Sequence, residues 1–135
     1  MNVQRVAGIG SLAIVVTAVV AGLMTIGSPA EQRLLRRDEQ RVNGLTQLAR
    51  RAELEWTQER RLAPSAVELV DQYLTRLPTD PATREPYEYR VTGPRSFDVC
   101  GTFERPSRPE LAGDFWFHEA GRHCFAFEMT ATSGR

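Results

Sequence analysis

The 135-residue chain contains no lysine: all 17 of its basic residues are arginine, a usage that fits codon bias better than any function. Those arginines face 17 acidic residues, so the formal charge is zero, and a general nucleic-acid binder with its strong basic excess is excluded. No GxSxG, P-loop, HExxH or GxGxxG occurs, so the chain lacks the common signatures of hydrolases, nucleotide binders and zinc proteases. It therefore reads as a non-enzyme without a cofactor. The length leaves room for one modest domain and one extra element, not two full domains. Charge is also missing locally. Residues 1–30 hold one arginine, Arg5, and no acid, which leaves 16 arginines and 17 acids, a charge of -1, for the rest.

What fills that uncharged stretch is an apolar run, Val6 to Gly27, of 22 residues. At 1.5 Å per residue it spans roughly 33 Å as a helix, enough for a hydrocarbon core of about 30 Å. Gly, Val, Ile and Thr weaken helices in water but are tolerated in lipid, where unsatisfied peptide groups cost more. Gly8, Gly10 and Gly22 would let another helix approach, in weak small-xxx-small patterns. An uncleaved transmembrane anchor is the expectation. A cleaved signal peptide is the alternative, with Arg5 in its basic region and Ser28-Pro29-Ala30 as a loose cleavage site, although the run exceeds the usual 7–15 apolar residues. Arg33, Arg36, Arg37 and Arg41 outnumber Arg5, and a literal positive-inside count keeps the C-terminal part cytoplasmic. The cysteines point the other way.

Beyond the run, Ser28-Pro29-Ala30-Glu31 has the form of a capping box, with a joint at Gly27-Ser28. Leu35, Val42, Leu45, Ala49, Ala52 and Trp56 follow at helical spacing and predict an amphipathic helix to about Arg61. Arg36, Arg37, Glu39, Gln40, Arg50 and Glu53 form its solvated face. Pro64-Ser65 opens a predicted second helix to about Leu77, with Val67, Val70, Leu74 and Leu77 on one side, closed by Pro78 and Pro81.

From there the period becomes two. Tyr87, Tyr89 and Val91 alternate with Glu88 and Arg90, and a turn falls at Thr92-Gly93-Pro94. Phe97, Val99, Gly101 and Phe103 then alternate with Asp98, Cys100 and Thr102. Pro106 to Gly113 reads as a loop, Trp116 as the start of the last sheet region, and His123 to Thr130 as its final strand, with Phe125, Phe127 and Met129 on one face. The predicted fold is α+β, with helices packed on a small antiparallel sheet. The organisation is a tail (1–5), a transmembrane helix (6–27), a helical segment (28–77) and a sheet region (78–135), the last two forming one domain. Tyr87, Tyr89, Phe97, Phe125 and Trp56 are the expected core. Asp80, Glu85, Glu88, Asp98 and Asp114 read as surface acids, not as an acid/base pair.

Cys100 and Cys124 both fall on the strand face opposite the aromatic residues, so the geometry allows a disulfide on that outer face if the strands are neighbours. That implies an oxidising compartment. A Cys2His2 metal set with His118 and His123 is the alternative, with poor spacing because His123 and Cys124 are adjacent; two reduced thiols are the third reading.

A membrane helix, an amphipathic helix and a small sheet resemble the plan of type II secretion pseudopilins and type IV pilins. The Asp80-Pro81-Ala82-Thr83-Arg84-Glu85-Pro86-Tyr87-Glu88-Tyr89 segment resembles the D-P-x-[ST/G]-x-x-P-Y-x-Y approach to the first strand of the major pseudopilin. Ser96 to Phe103 and Trp116 to Phe125 resemble an uncharacterised family of bacterial membrane-anchored domains, where S-F-x-[LV]-C-x-x-F and W-x-H-x-x-G-x-x-C-F flank a disulfide. The likeness covers about residues 38–127 and marks Asp80, Tyr87, Tyr89, Trp116, His118 and Gly121 as motif positions of unknown role. The chain lacks the G-F-x-x-x-E site of pilins, with no acid before Glu31. The resemblance thus implies the fold and not fibre assembly. The expectation is a single-pass protein of the bacterial inner membrane with its C-terminal domain outside the cytoplasm, a structural or interaction module whose partners are the bilayer and another membrane or envelope protein. A pseudopilin-type component and a small-molecule or metal sensor using His118 and Trp116 are the alternatives.

Overall fold

The computed structural model describes residues 3–26, 28–70 and 74–130, and the chain divides into two units, 1–33 and 34–135. In the first, helix α1 (Val3–Ile26) runs unbroken through the apolar segment and begins before the predicted Val6. Ile9, Leu12, Ile14, Leu23 and Met24 are between 63% and 79% exposed. Among the described residues of the unit, nothing covers them. Helix α1 is long and apolar enough to cross a membrane.

Helix α2 (Pro29–Glu59) starts as the capping box requires: the Glu31 N–H donates to Ser28 Oγ at 3.2 Å. Gly27, the other half of the predicted joint, lies outside the described residues. The helix ends two residues before the predicted Arg61. Arg60 takes a left-handed φ of 57° and donates its N–H to Trp56 O at 2.9 Å, closing the last turn.

In the second unit the buried face of α2 holds Leu45, Leu48, Ala49 and Ala52 at its centre, but Asp38 and Arg41 toward one end and Arg51 and Glu55 toward the other. Leu35, Val42 and Trp56 from the predicted stripe lie half-buried along its flank. Arg36, Arg37, Glu39, Gln40 and Arg50 face solvent as expected, and Glu53 is half-buried.

The second helix is corrected. Among the described residues of this segment the one helix is a four-residue 3-10 helix, Ala66–Leu69; residues 71–73 lie outside the described set. Its buried residue is Leu69, whereas Val67, on the predicted apolar side, is 70% exposed. Two β-branched valines in so short a segment do not repay the cost of nucleating an α-helix.

Strands β1 (Glu88–Gly93), β2 (Ser96–Phe103) and β3 (Gly121–Glu128) form an antiparallel sheet in the order β1-β2-β3. The β1–β2 turn sits at Pro94-Arg95, one residue later than predicted, because the register slips between Val91 and Gly93. Trp116 is not in the sheet; it precedes β3 in a loop whose contacts are to the sheet face. Tyr89, Phe97, Val99, Phe103, Phe125 and Phe127 face α2 and share the core with Leu45, Leu48, Ala52 and Leu69. Phe97 and Phe127 stack with centroids 5.0 Å apart. Two glycines set the helix–sheet distance. A Cβ on Gly44 would lie 2.5 Å from Tyr87 Cε2, and one on Gly101 would lie 3.1 Å from Leu45 Cδ1. The α+β class is therefore observed, with α2 as the one helix of the second unit that is longer than a turn or so among the described residues.

Candidate functional site

Arg41 projects from the buried face of α2, where its guanidinium meets three carboxylates. Nε donates to Asp80 Oδ2 at 2.6 Å, Nη1 to Asp38 Oδ1 at 2.7 Å, and Nη1 lies 3.4 Å from Glu104 Oε2. The Arg41 side chain is only 4% exposed, and a charge so placed persists only when paired. Two of these carboxylates, Asp38 and Asp80, also organise backbone. Asp38 accepts the N–H groups of Glu104 and Arg105 at 3.0 and 2.9 Å, fixing the exit from β2. Asp80 Oδ1 accepts those of Ala82 and Thr83 at 2.7 and 3.0 Å, fixing the turn that leads to β1. One arginine thus ties α2 to the chain on either side of the β1–β2 hairpin.

The electrostatics follow. Burial works to raise the Asp80 pKa, but the Arg41 hydrogen bond and the two N–H groups outweigh it and hold the carboxyl below 3.8. Burial likewise opposes the Arg41 charge, and the Asp80 and Asp38 hydrogen bonds raise its pKa regardless. Tyr87 stands beside this node, its hydroxyl buried without a hydrogen-bond partner and its pKa pushed up to about 12 by burial and by Asp80. Tyr89 is pushed up to about 12 by burial and Glu55, and donates its hydroxyl to Ala63 O at 3.0 Å.

On the opposite sheet face Cys100 and Cys124 are direct cross-strand partners at disulfide distance. The two sulfurs lie at bonding distance of each other, the arrangement expected of a disulfide. Arg122 on β3 bonds Glu88 Oε2 on β1 at 2.7 Å and reaches Cys100 Sγ at 3.6 Å. Beside it lies a cavity of about 240 Å³ lined by Asp80, Tyr87, Glu88, Cys100 and Arg122.

A groove of about 730 Å³ lies between α2 and the 106–118 loop. Ser107 and His118 close that loop: Ser107 N–H donates to His118 O at 2.8 Å, and His118 N–H to Ser107 Oγ at 3.0 Å. Leu35, Val42, Leu111, Trp116 and Phe117 give the groove an apolar lining, and Glu39, Glu110 and Asp114 give it acids. His118 is 5% exposed and stacks on Phe103 with centroids 3.6 Å apart. Its Nδ1 is 3.3 Å from Glu119 O, and burial lowers its pKa below 6.5.

The six motif positions therefore separate. Asp80 and Tyr87 belong to the arginine node, Trp116 and His118 to the groove, Tyr89 to the core, and Gly121 opens β3 with a positive φ of 97°. Asp80 corrects its reading as a surface acid: it is 8% exposed because Arg41 and the turn amides replace its water. Sequence reasoning missed Asp38 and Arg41 as buried residues. Their spacing offered a signal, since 38, 41, 45, 48 and 52 lie on one helical phase. No family model, curated protein or solved structure matches the chain.

Proposed function

We propose that the chain is a single-pass membrane protein whose second unit stands outside the cytoplasm and acts as a structural or interaction module, not as an enzyme. The observation that carries this reading is α1: an uncovered apolar helix long enough to span a bilayer, followed two residues later by the polar helix α2. The cross-strand cysteine pair supports the compartment, because such bridges persist where thiols are not kept reduced. The polar clusters support the module: Arg41, Asp38 and Asp80 spend their hydrogen bonds on each other and on backbone, which is the work of a scaffold.

Alkaline phosphatase and green fluorescent protein fusions at the C-terminus test topology in a bacterial host. Active phosphatase with dark fluorescent fusions is expected. The reverse pattern overturns the extracytoplasmic placement.

A second reading, a pseudopilin-type component of a secretion or pilus machine, draws on α2 packed against an antiparallel sheet that is approached through the Asp80–Tyr89 turn. Mass spectrometry of the mature N-terminus decides it. A processed, methylated end supports a pseudopilin; intact residues 1–5 oppose it.

A further inference from the structure

The acids of the 106–118 groove stand apart from those of the arginine node. Asp38, Asp80 and Glu104 are each ion-paired, whereas Glu39, Glu110 and Asp114 have no ion pair among the described residues and converge on one concavity. Arg108 is the single cation in that lining. The apolar side is equally open: Leu111 is 50% exposed, and Phe115, next to the lining, is 53% exposed. Trp116 is half-buried there, with its ring 4.7 Å from that of Phe125. Carboxylates beside an apolar and aromatic lining suit a cation attached to an apolar body, by charge pairing and apolar packing together.

We propose that this groove binds a short segment of a partner protein in which an arginine or lysine lies beside apolar residues. The cation meets Glu110 and Asp114, and the apolar side chain packs on Leu35, Val42 and Trp116. Charge complementarity selects this occupant: of the four acids in the lining only Asp38 is ion-paired, so three carboxylates against one arginine disfavour an acidic peptide, and the open apolar lining disfavours a purely polar one. The inference rests on the interaction-module reading but fails separately from it, since a module that leaves this groove empty can still dock through another face.

The test uses the full chain in nanodiscs of zwitterionic lipid and a fluorescent ten-residue peptide alternating leucine and arginine, with a leucine–glutamate peptide and empty nanodiscs as controls. Anisotropy is expected to show saturable binding of the arginine peptide, at least about tenfold tighter than the glutamate peptide. The exposed double variant Glu110→Arg/Asp114→Arg should weaken the arginine peptide by about tenfold, and Leu111→Glu should weaken both peptides' apolar contact while circular dichroism stays unchanged. Equal affinity for the two peptides, equal binding to empty nanodiscs, or indifference to the double variant overturns the proposal. So does a disulfide-trapped dimer through Leu111→Cys that excludes the peptide, which would make a second copy the occupant.

Discussion

Arg41 Nε donates to Asp80 Oδ2 at 2.6 Å across 39 positions of chain, with both residues buried. This pair fixes where the turn before β1 meets α2, and its removal has an asymmetric cost. Arg41→Met leaves Asp38 and Asp80 buried without their cation and should destabilise the second unit by roughly 3–5 kcal/mol. Arg41→Lys keeps the charge but loses the forked geometry, so it should recover only part of that loss. Urea denaturation of the full chain in detergent, read by far-UV circular dichroism, measures both.

The node also sets the acid limit. Because the folded Asp80 pKa is depressed, its contribution is present above the free-carboxyl value of 3.8 and is lost as pH falls through the folded value. Asp80→Asn should therefore flatten the stability profile below pH 3.8 while lowering stability at neutral pH. An unchanged profile would remove Asp80 from the acid transition.

Tyr87 and Tyr89 set the alkaline limit. Their folded values are raised from 10.0 to about 12, so the stabilisation is complete below pH 10.0 and is lost as pH rises toward 12. Tyr87→Phe should shrink that alkaline loss. At neutral pH the same change removes a buried hydroxyl that has no hydrogen-bond partner, so stability should stay level or rise by up to about 1 kcal/mol. Phenolate absorbance and thermal melts across pH 9–12 separate the two effects.

Gly44→Ala pits propensity against space. Alanine gains about 1 kcal/mol as a helix former, but its Cβ would stand 2.5 Å from Tyr87 Cε2, where a packed ring has little freedom to move. Overpacking of this kind costs roughly 1–3 kcal/mol, so a net loss is expected. The double variant Gly44→Ala/Tyr87→Ala should show positive coupling, since removing the ring removes the clash.

The Cys100–Cys124 bridge closes a loop with a sequence separation of 24. Its removal by Cys100→Ser/Cys124→Ser should cost about 3–4 kcal/mol on the chain-entropy scale. Alkylation before and after reduction, read by mass, checks the bridge itself: complete labelling without reductant would contradict it.

The primary structure by itself determined the parts that repeat locally. The uncharged run forces α1, the Ser28–Glu31 box starts α2, and alternation places Phe97, Val99 and Phe103 on one face and Cys100 on the other. These features need only neighbours in the chain. The Val67 and Val70 segment marks the limit of that reasoning: its apolar spacing fits a helix, yet Leu69 is what the core accepts. Only the tertiary structure decided that Arg41 is a buried tie and Asp80 its partner. Before the chain folds, an arginine and an aspartate 39 positions apart are indistinguishable from solvated charges. The groove has the same origin, because Leu35 and Trp116 become its opposite walls only when the 106–118 loop closes through Ser107 and His118. Long-range desolvation, which no local pattern records, made these residues different from the other charges around them.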